Sequence, residues 1–422
     1  MEKLSALYKK RISISYDPFL YFWRRMLSSF FLFFSFFSYL TIFPFPTDVQ
    51  PYALFIAIII TILNVNVRFT FQVKIIFFVM LYSIVVFLFS EFNINSFRSL
   101  LNYVSFFFIV NASYITLKNN GFRKIYYFAL LTWLIVGVIQ TYINSEFLSF
   151  LLPRNTYTIL SDTSGRGVTS LAPEPTMYAH ICICFWIIYM INFFESEKIY
   201  VNILVLTAIF YQIFFLSKSS TVIILLLVGF CIYIVYTLFY YRQFKVIFLA
   251  ISLIFTILYS YYNYYLVDSD NRISFLLATV LEDPTIIFKL DQSVSDHFVH
   301  SFLPYYHLIT SFGMPGRFDT FENYVETIYS IPSFDGITKT FIPLTHIRIT
   351  SGFGSNIYEL GVVGLLIPLS MFYSFKNLLK INKSLIYPFI VFMLGFIPSF
   401  HITVPIVGFI IGNAIYKNSL LS

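Results

Sequence analysis

Charged residues are scarce in this chain. Only 11% of its 422 residues are Asp, Glu, Lys or Arg, where a water-soluble domain carries roughly a quarter. That shortage excludes a water-soluble enzyme, a disordered protein and a nucleic-acid binder. Cysteine is rare as well. Cys182, Cys184 and Cys231 all stand inside apolar runs, and the first two, at i and i+2, point to different helix faces. Neither a disulfide framework nor a metal pair is expected from them, and they read as buried apolar packing. A cleavable leader is not expected either. The chain opens MEKLSALYKKRISISYDPFLYFWRR, too long and too charged ahead of the first apolar run.

Apolar side chains are abundant instead: 58% of residues are hydrophobic, 21% are aromatic, and the mean hydropathy is +0.79. These values describe an all-α polytopic membrane protein, residues 1–422 forming one integral membrane domain. A bilayer-spanning helix needs about 20 mostly apolar residues. The window rule finds about twelve such segments (range ten to thirteen), at roughly 26–45, 51–67, 73–90, 98–117, 125–143, 174–194, 199–216, 220–240, 244–266, 356–375, 384–399 and 401–416. The last two are short and broken by Pro398 and Pro405, so they read as two spans or as one re-entrant unit.

Lysine and arginine orient the bundle. With the N-terminus inside, eighteen of the 27 basic residues fall on the cytoplasmic side, and the outer loops before residue 144 hold only Arg98. Both termini are therefore expected in the cytoplasm. The pI near 9.0 follows from this placement and implies no nucleic-acid partner. Two outer loops, 144–173 and 267–355, exceed the few residues of an ordinary connector. The larger, expected to be partly helical, carries ten acids, five bases and four of the six histidines. Inner loops are short and leave no room for a nucleotide-binding domain. Chemistry is expected on the outer face.

Four constellations could carry it. In the first loop Arg154 and Arg166 bracket a Gly- and Ser-rich turn, and Glu174 stands between Pro173 and Pro175 where the chain re-enters the membrane. This is a polar turn with Glu174 favouring a helix dipole, or an anion site beside an acid/base carboxylate, Arg being a planar fork for phosphate. Lys218, in Ser217-Lys218-Ser219-Ser220, is a solvated turn residue or a phosphate-facing cation. Asp268-Ser269-Asp270 reads as a helix cap more than a metal site. His297 and His300 share a helical face, but no H-E-x-x-H is present, so exposed or base-type histidines are expected and no metal. Finally Arg348 precedes Glu359, an acid at the rim of a span, costly unless it meets a wet cavity or a cation. Gly361 and Gly364 follow it and suit close helix packing.

The combination resembles the O-antigen polymerase (Wzy) family of the O-antigen polymerase and ligase superfamily. Arg166-Gly167 to Glu174-Pro175 resembles that family's Arg-Gly…Glu-Pro-Ser helix entry, and FFLSKSSTVIILLLVG is similar to its Ser-Arg-x-x span. DNRIS resembles the Arg-Ile that opens the large loop, and GSNIYELGVVGLL is similar to the Ser-Asn…Glu-x-Gly-x-x-Gly exit. Arg154 to Gly165 matches an Arg-x10-Gly pattern. Lys218 departs from the family, standing where Arg is usual, and His297 stands where an Arg often follows.

The resemblance implies a GT-C-like, inverting, metal-independent glycosyltransferase without cofactor, in the bacterial inner membrane with its working loops in the periplasm. It would move a growing glycan from undecaprenyl diphosphate onto a lipid-linked oligosaccharide repeat unit, in lipopolysaccharide or other surface polysaccharide biosynthesis. Arg154, Arg166, Lys218, Arg272, Arg317 and Arg348 would face the diphosphates; Glu174 or Glu359, then His297 or His300, would be the base. Expected partners are undecaprenyl-diphosphate-linked oligosaccharides, membrane lipids, and the chain-length regulator and flippase of the same pathway. The rival readings are an O-antigen ligase, which differs only in its acceptor, a lipid-linked oligosaccharide flippase, and a structural partner in an assembly complex. A flippase would carry mid-membrane charges and internal repeats, which this sequence lacks.

Overall fold

The computed structural model describes residues 18–43, 45, 47–64, 69–119, 121–152, 167–241, 252, 292–331 and 349–421. Every regular element among them is a helix: α1 (Pro18–Phe36), α2 (Tyr52–Leu63), α3 (Phe71–Leu88), α4 (Ile94–Asn119), α5 (Arg123–Tyr142), α6 (Pro175–Asn192), α7 (Ile199–Tyr211), α8 (Ser220–Tyr241), α9 (Gln292–Thr310), α10 (Phe321–Tyr329), α11 (Gly352–Leu360), α12 (Leu366–Ile381), α13 (Ile386–Gly395) and α14 (Pro405–Leu421). Proline opens α1, α6 and α14, where its missing N–H would have had no helical partner. α7 runs on into a π-turn, Gln212–Ser217. Among the described residues seven helices are long and apolar enough to cross a membrane, counting Gly352–Ile381 as one. The expected span at 244–266 lies outside the described residues.

The two ends of the bundle are separable by their contacts. At one end Arg123 pairs with Glu197 at 2.5 Å, and Asn382 donates to the Met190 carbonyl. At the other, Asn93 donates to Asp319 and Ser219 meets Thr176. These are the ends that the charge count assigns to the cytoplasm and to the outer face.

α14 is the central post. Its Gly408 and Gly412 lie against α4: a Cβ on Gly408 would come within 2.7 Å of Ile109, and one on Gly412 within 2.5 Å of Ser113 and of the Val110 carbonyl. Small residues four apart let two backbones approach closely without a hydrophobic driving force between them. Asn418, near the far end of α14, donates to the Ser374 carbonyl of α12. The segments 384–399 and 401–416 form two helices, α13 and α14.

Two further expectations are corrected. Cys182 and Cys184 are buried, but Cys231 is exposed, because it lies on a face of α8 turned away from the bundle. The span expected at 356–375 lies within the single span Gly352–Ile381, but its glycine pair does not serve helix packing. Gly361 has φ +61 and ends α11, and Gly364 lies so close to the Asn356 carbonyl that a Cβ would sit 2.0 Å from it. The glycines make a corner within one chain; they do not pack one span on another. α11 consequently leads from the outer end of α13, where Phe353 N–H donates to the Phe396 carbonyl, to the first turns of α4.

Candidate functional site

Glu359 stands at the far end of α11. Its two carboxylate oxygens accept from hydroxyls on α4, Ser99 at 3.0 Å and Tyr103 at 2.6 Å. Hydrogen bonds to a charged acceptor are the strong ones, and two on separate oxygens fix the carboxylate's plane. The Tyr103 ring stacks on Phe318, centroids 6.1 Å apart. Phe318 in turn takes the Ser90 hydroxyl oxygen with its backbone N–H, and Asp319 accepts from Asn93 at 2.8 Å and Asn95 at 3.4 Å. The loop before α10 is pinned across the ends of α3 and α4 by two consecutive residues, Phe318 and Asp319. The residue before them is Arg317, exposed and left-handed at φ 69. Glu359 is thereby linked through Tyr103 to Phe318, the residue that follows Arg317 in the chain.

A second patch lies at the other end of α11. Ser351 caps the helix by accepting the Gly354 N–H. The preceding residue, Thr350, places its hydroxyl 3.3 Å from His297 Nδ1 and 3.0 Å from His300 Nδ1. Its backbone N–H donates to His300 Nδ1 at 2.8 Å. An acceptor cannot carry the proton, so neutral His300 holds its hydrogen on Nε2. Buried and joined to the backbone in this way, His300 orients the entry to α11. His297 is half-buried, and it and His401 each lie within electrostatic reach of His180 on α6.

The remaining sequence candidates converge on the start of α6. Glu174 is the residue immediately before Pro175 and interacts electrostatically with Tyr39. Two residues on, Thr176 meets Ser219 at 3.3 Å. Lys218 precedes Ser219, exposed, in the left-handed region at φ 45. Gly167 touches the same turn, since its Cβ would fall 2.2 Å from the Leu216 and Ser217 carbonyls, and Val168 N–H donates to Leu216. The end of the first outer loop and the Lys218 turn are one surface. Arg154, Arg166, Arg272 and Arg348 lie outside the described residues, as does the Asp268-Ser269-Asp270 tripeptide.

The two patches are joined by α11. Eight residues separate Ser351 from Glu359, about 12 Å at 1.5 Å per residue. His307, further along α9, is clamped between Tyr324 and Tyr358 with ring centroids 5.0 and 4.8 Å away. Its buried Nδ1 has no hydrogen-bond partner, and burial holds its pKa below the ordinary histidine value. Ser99, Tyr103 and Thr350 escaped the sequence reading, because nothing near them in the chain marks them as partners of an acid or a histidine. Among the described residues no three His, Cys, Asp or Glu side chains gather as a metal site. No family model and no curated protein matches this chain.

Proposed function

We propose that this protein is a polysaccharide polymerase. It transfers a growing glycan from undecaprenyl diphosphate to a lipid-linked oligosaccharide repeat unit, on the outer face of a bacterial inner membrane that it crosses about twelve times. The observation that carries the reading is the Glu359 carboxylate, fixed by Ser99 and by Tyr103, whose ring also seats Phe318, the residue after Arg317. A glycosyl transfer needs a carboxylate that accepts a proton from a sugar hydroxyl. It also needs cations where the departing diphosphate gathers charge. The acceptor oxygen attacks the anomeric carbon from the face opposite the diphosphate and the bond from that carbon to the diphosphate oxygen breaks. The hydroxyl proton passes to Glu359. Arg317 is assigned to the departing diphosphate and Lys218 to the second lipid-linked diphosphate beside Glu174. The resemblance of residues 150–375 to the polymerase family supports the same assignment.

The decisive experiment is a gel of surface polysaccharide from a strain lacking the protein, beside the same strain complemented with the native chain or with Glu359→Gln. The expected result is single repeat units with no ladder in the deletion and in E359Q, and a full ladder with the native chain. Polymer that accumulates on its carrier lipid would replace this reading with a ligase. Units trapped on the inner leaflet would replace it with a flippase. A complete ladder from E359Q would remove Glu359 from the chemistry.

A further inference from the structure

A groove of about 570 Å³ opens between α1 and α5, far from the outer patches. Phe22, Phe30 and Phe33 of α1 and Phe128 of α5 line it, and Arg25, about two turns into α1, and Lys124, in the first turn of α5, stand in its wall. Apolar surface on a membrane helix meets lipid everywhere, so the aromatic wall by itself is unremarkable. The two cations are not. Their neighbour Arg123 is already neutralised by Glu197, whose Oε1 also accepts from the Tyr127 hydroxyl at 3.1 Å. Arg25 and Lys124 are both exposed, and neither pairs with a carboxylate among the described residues. Lys124 also sits in the first turn of α5, where the helix dipole adds positive potential.

We infer that this groove is a binding site for an anionic phospholipid of the cytoplasmic leaflet. One acyl chain lies among the four phenylalanines, and the headgroup phosphate sits between Arg25 and Lys124. Basic pockets between membrane helices on the cytoplasmic side recognise such headgroups. A polyprenyl diphosphate donor is not the occupant, because the cations are at the end of the bundle opposite Glu359 and Lys218. The exclusion of the polyprenyl donor rests on the polymerase reading; the groove and its two cations do not.

Trp23 supplies a native reporter. It follows Phe22 and is 42% exposed, whereas Trp133 and Trp186 are buried. The full-length protein is placed in bilayers containing either brominated phosphatidylglycerol or brominated phosphatidylcholine at equal mole fraction, and tryptophan quenching is measured. Stronger quenching by the anionic lipid is expected. The R25Q/K124Q double variant, with helicity checked by circular dichroism, should lose that preference by about ten- to thirtyfold in relative affinity. Equal quenching of the native protein by both lipids overturns the site, and that arm needs no variant to fold. A preference undiminished in a folded double variant overturns it as well.

Discussion

The Tyr103 hydroxyl lies 2.6 Å from Glu359 Oε2, and the same tyrosine's ring stacks on Phe318 of the large outer loop. One side chain thus both orients the acid and seats the segment in which Arg317 precedes Phe318. Under the proposed chemistry, Tyr103→Phe keeps the stacking and removes only the hydrogen bond. A hydrogen bond to a charged group contributes about 1.5–3 kcal/mol, so polymer formation in an assay with purified lipid-linked units should fall roughly ten- to hundredfold. Ser99→Ala should fall less, and E359Q below detection. Native rates for Y103F would show that the carboxylate's orientation is immaterial.

At Lys218 two effects have opposite signs. The residue is held at φ 45, a conformation that costs an ordinary L-residue roughly 1–2 kcal/mol and glycine almost nothing. Lys218→Gly should therefore raise thermal stability while removing the cation and lowering polymer formation. Lys218→Arg should keep the charge and the strain, with activity at or above native. Parallel melting curves and product gels separate the two; a glycine variant that is both stable and fully active would leave the lysine no role in binding phosphate.

Much of the fold was legible in the sequence, and the reason is physical. A lipid solvent forces every backbone polar group into a helix, so apolar length alone places most of α3 to α8. Corners are another matter. Gly361 and Gly364 read as a packing pair because their spacing suits one, yet their φ and their contacts depend on Gly313 and Asn356. The site was half legible. Glu359 stood out as an acid at a membrane rim, and His297 and His300 as one helical face. Ser99 and Tyr103, more than 250 residues away, carry no local mark of their partnership with Glu359. Thr350 is equally silent, since its role is set by where α9 crosses the start of α11.

Acid should loosen the outer layer through His307. Burial lowers this group's pKa in the folded protein, so the unfolded chain, with an ordinary value near 6.5, binds the proton more readily. Stability then rises with pH in the window below about 6.5 and is lost as pH falls through it. The affected residues are the small cluster of Val299, Leu303, Phe321, Val325, Ile328 and Tyr358. Hydrogen-exchange protection over 299–329, corrected for the intrinsic exchange rate at each pH, should fall between pH 7 and pH 5, more than in α14. His307→Phe, which fits the tyrosine clamp without a titrating group, should remove most of that dependence. The same pH dependence in H307F would assign it to another group.

Gly361 offers the sharpest test of the corner between α11 and α12. Its φ of +61 strains any L-residue, and an added Cβ would lie 2.2 Å from the Gly313 carbonyl, the group that accepts the Val362 N–H at 3.0 Å. Gly361→Ala combines backbone strain of about 1–3 kcal/mol with a clash against backbone that cannot swing aside. Gly121, by contrast, has nothing within 4 Å of its Cβ position, so Gly121→Ala should stay within about 0.5 kcal/mol of native. The expected pattern is a lowered melting temperature for G361A, none for G121A, and faster proteolysis of G361A within 311–320, the loop that the corner holds. Because Glu359 lies two residues before the corner, polymer formation should also drop further in G361A than its loss of folded protein explains. If G361A melts and works like the native chain, then α11 and α12 form one straight span and the carboxylate is not where the loop meets α4.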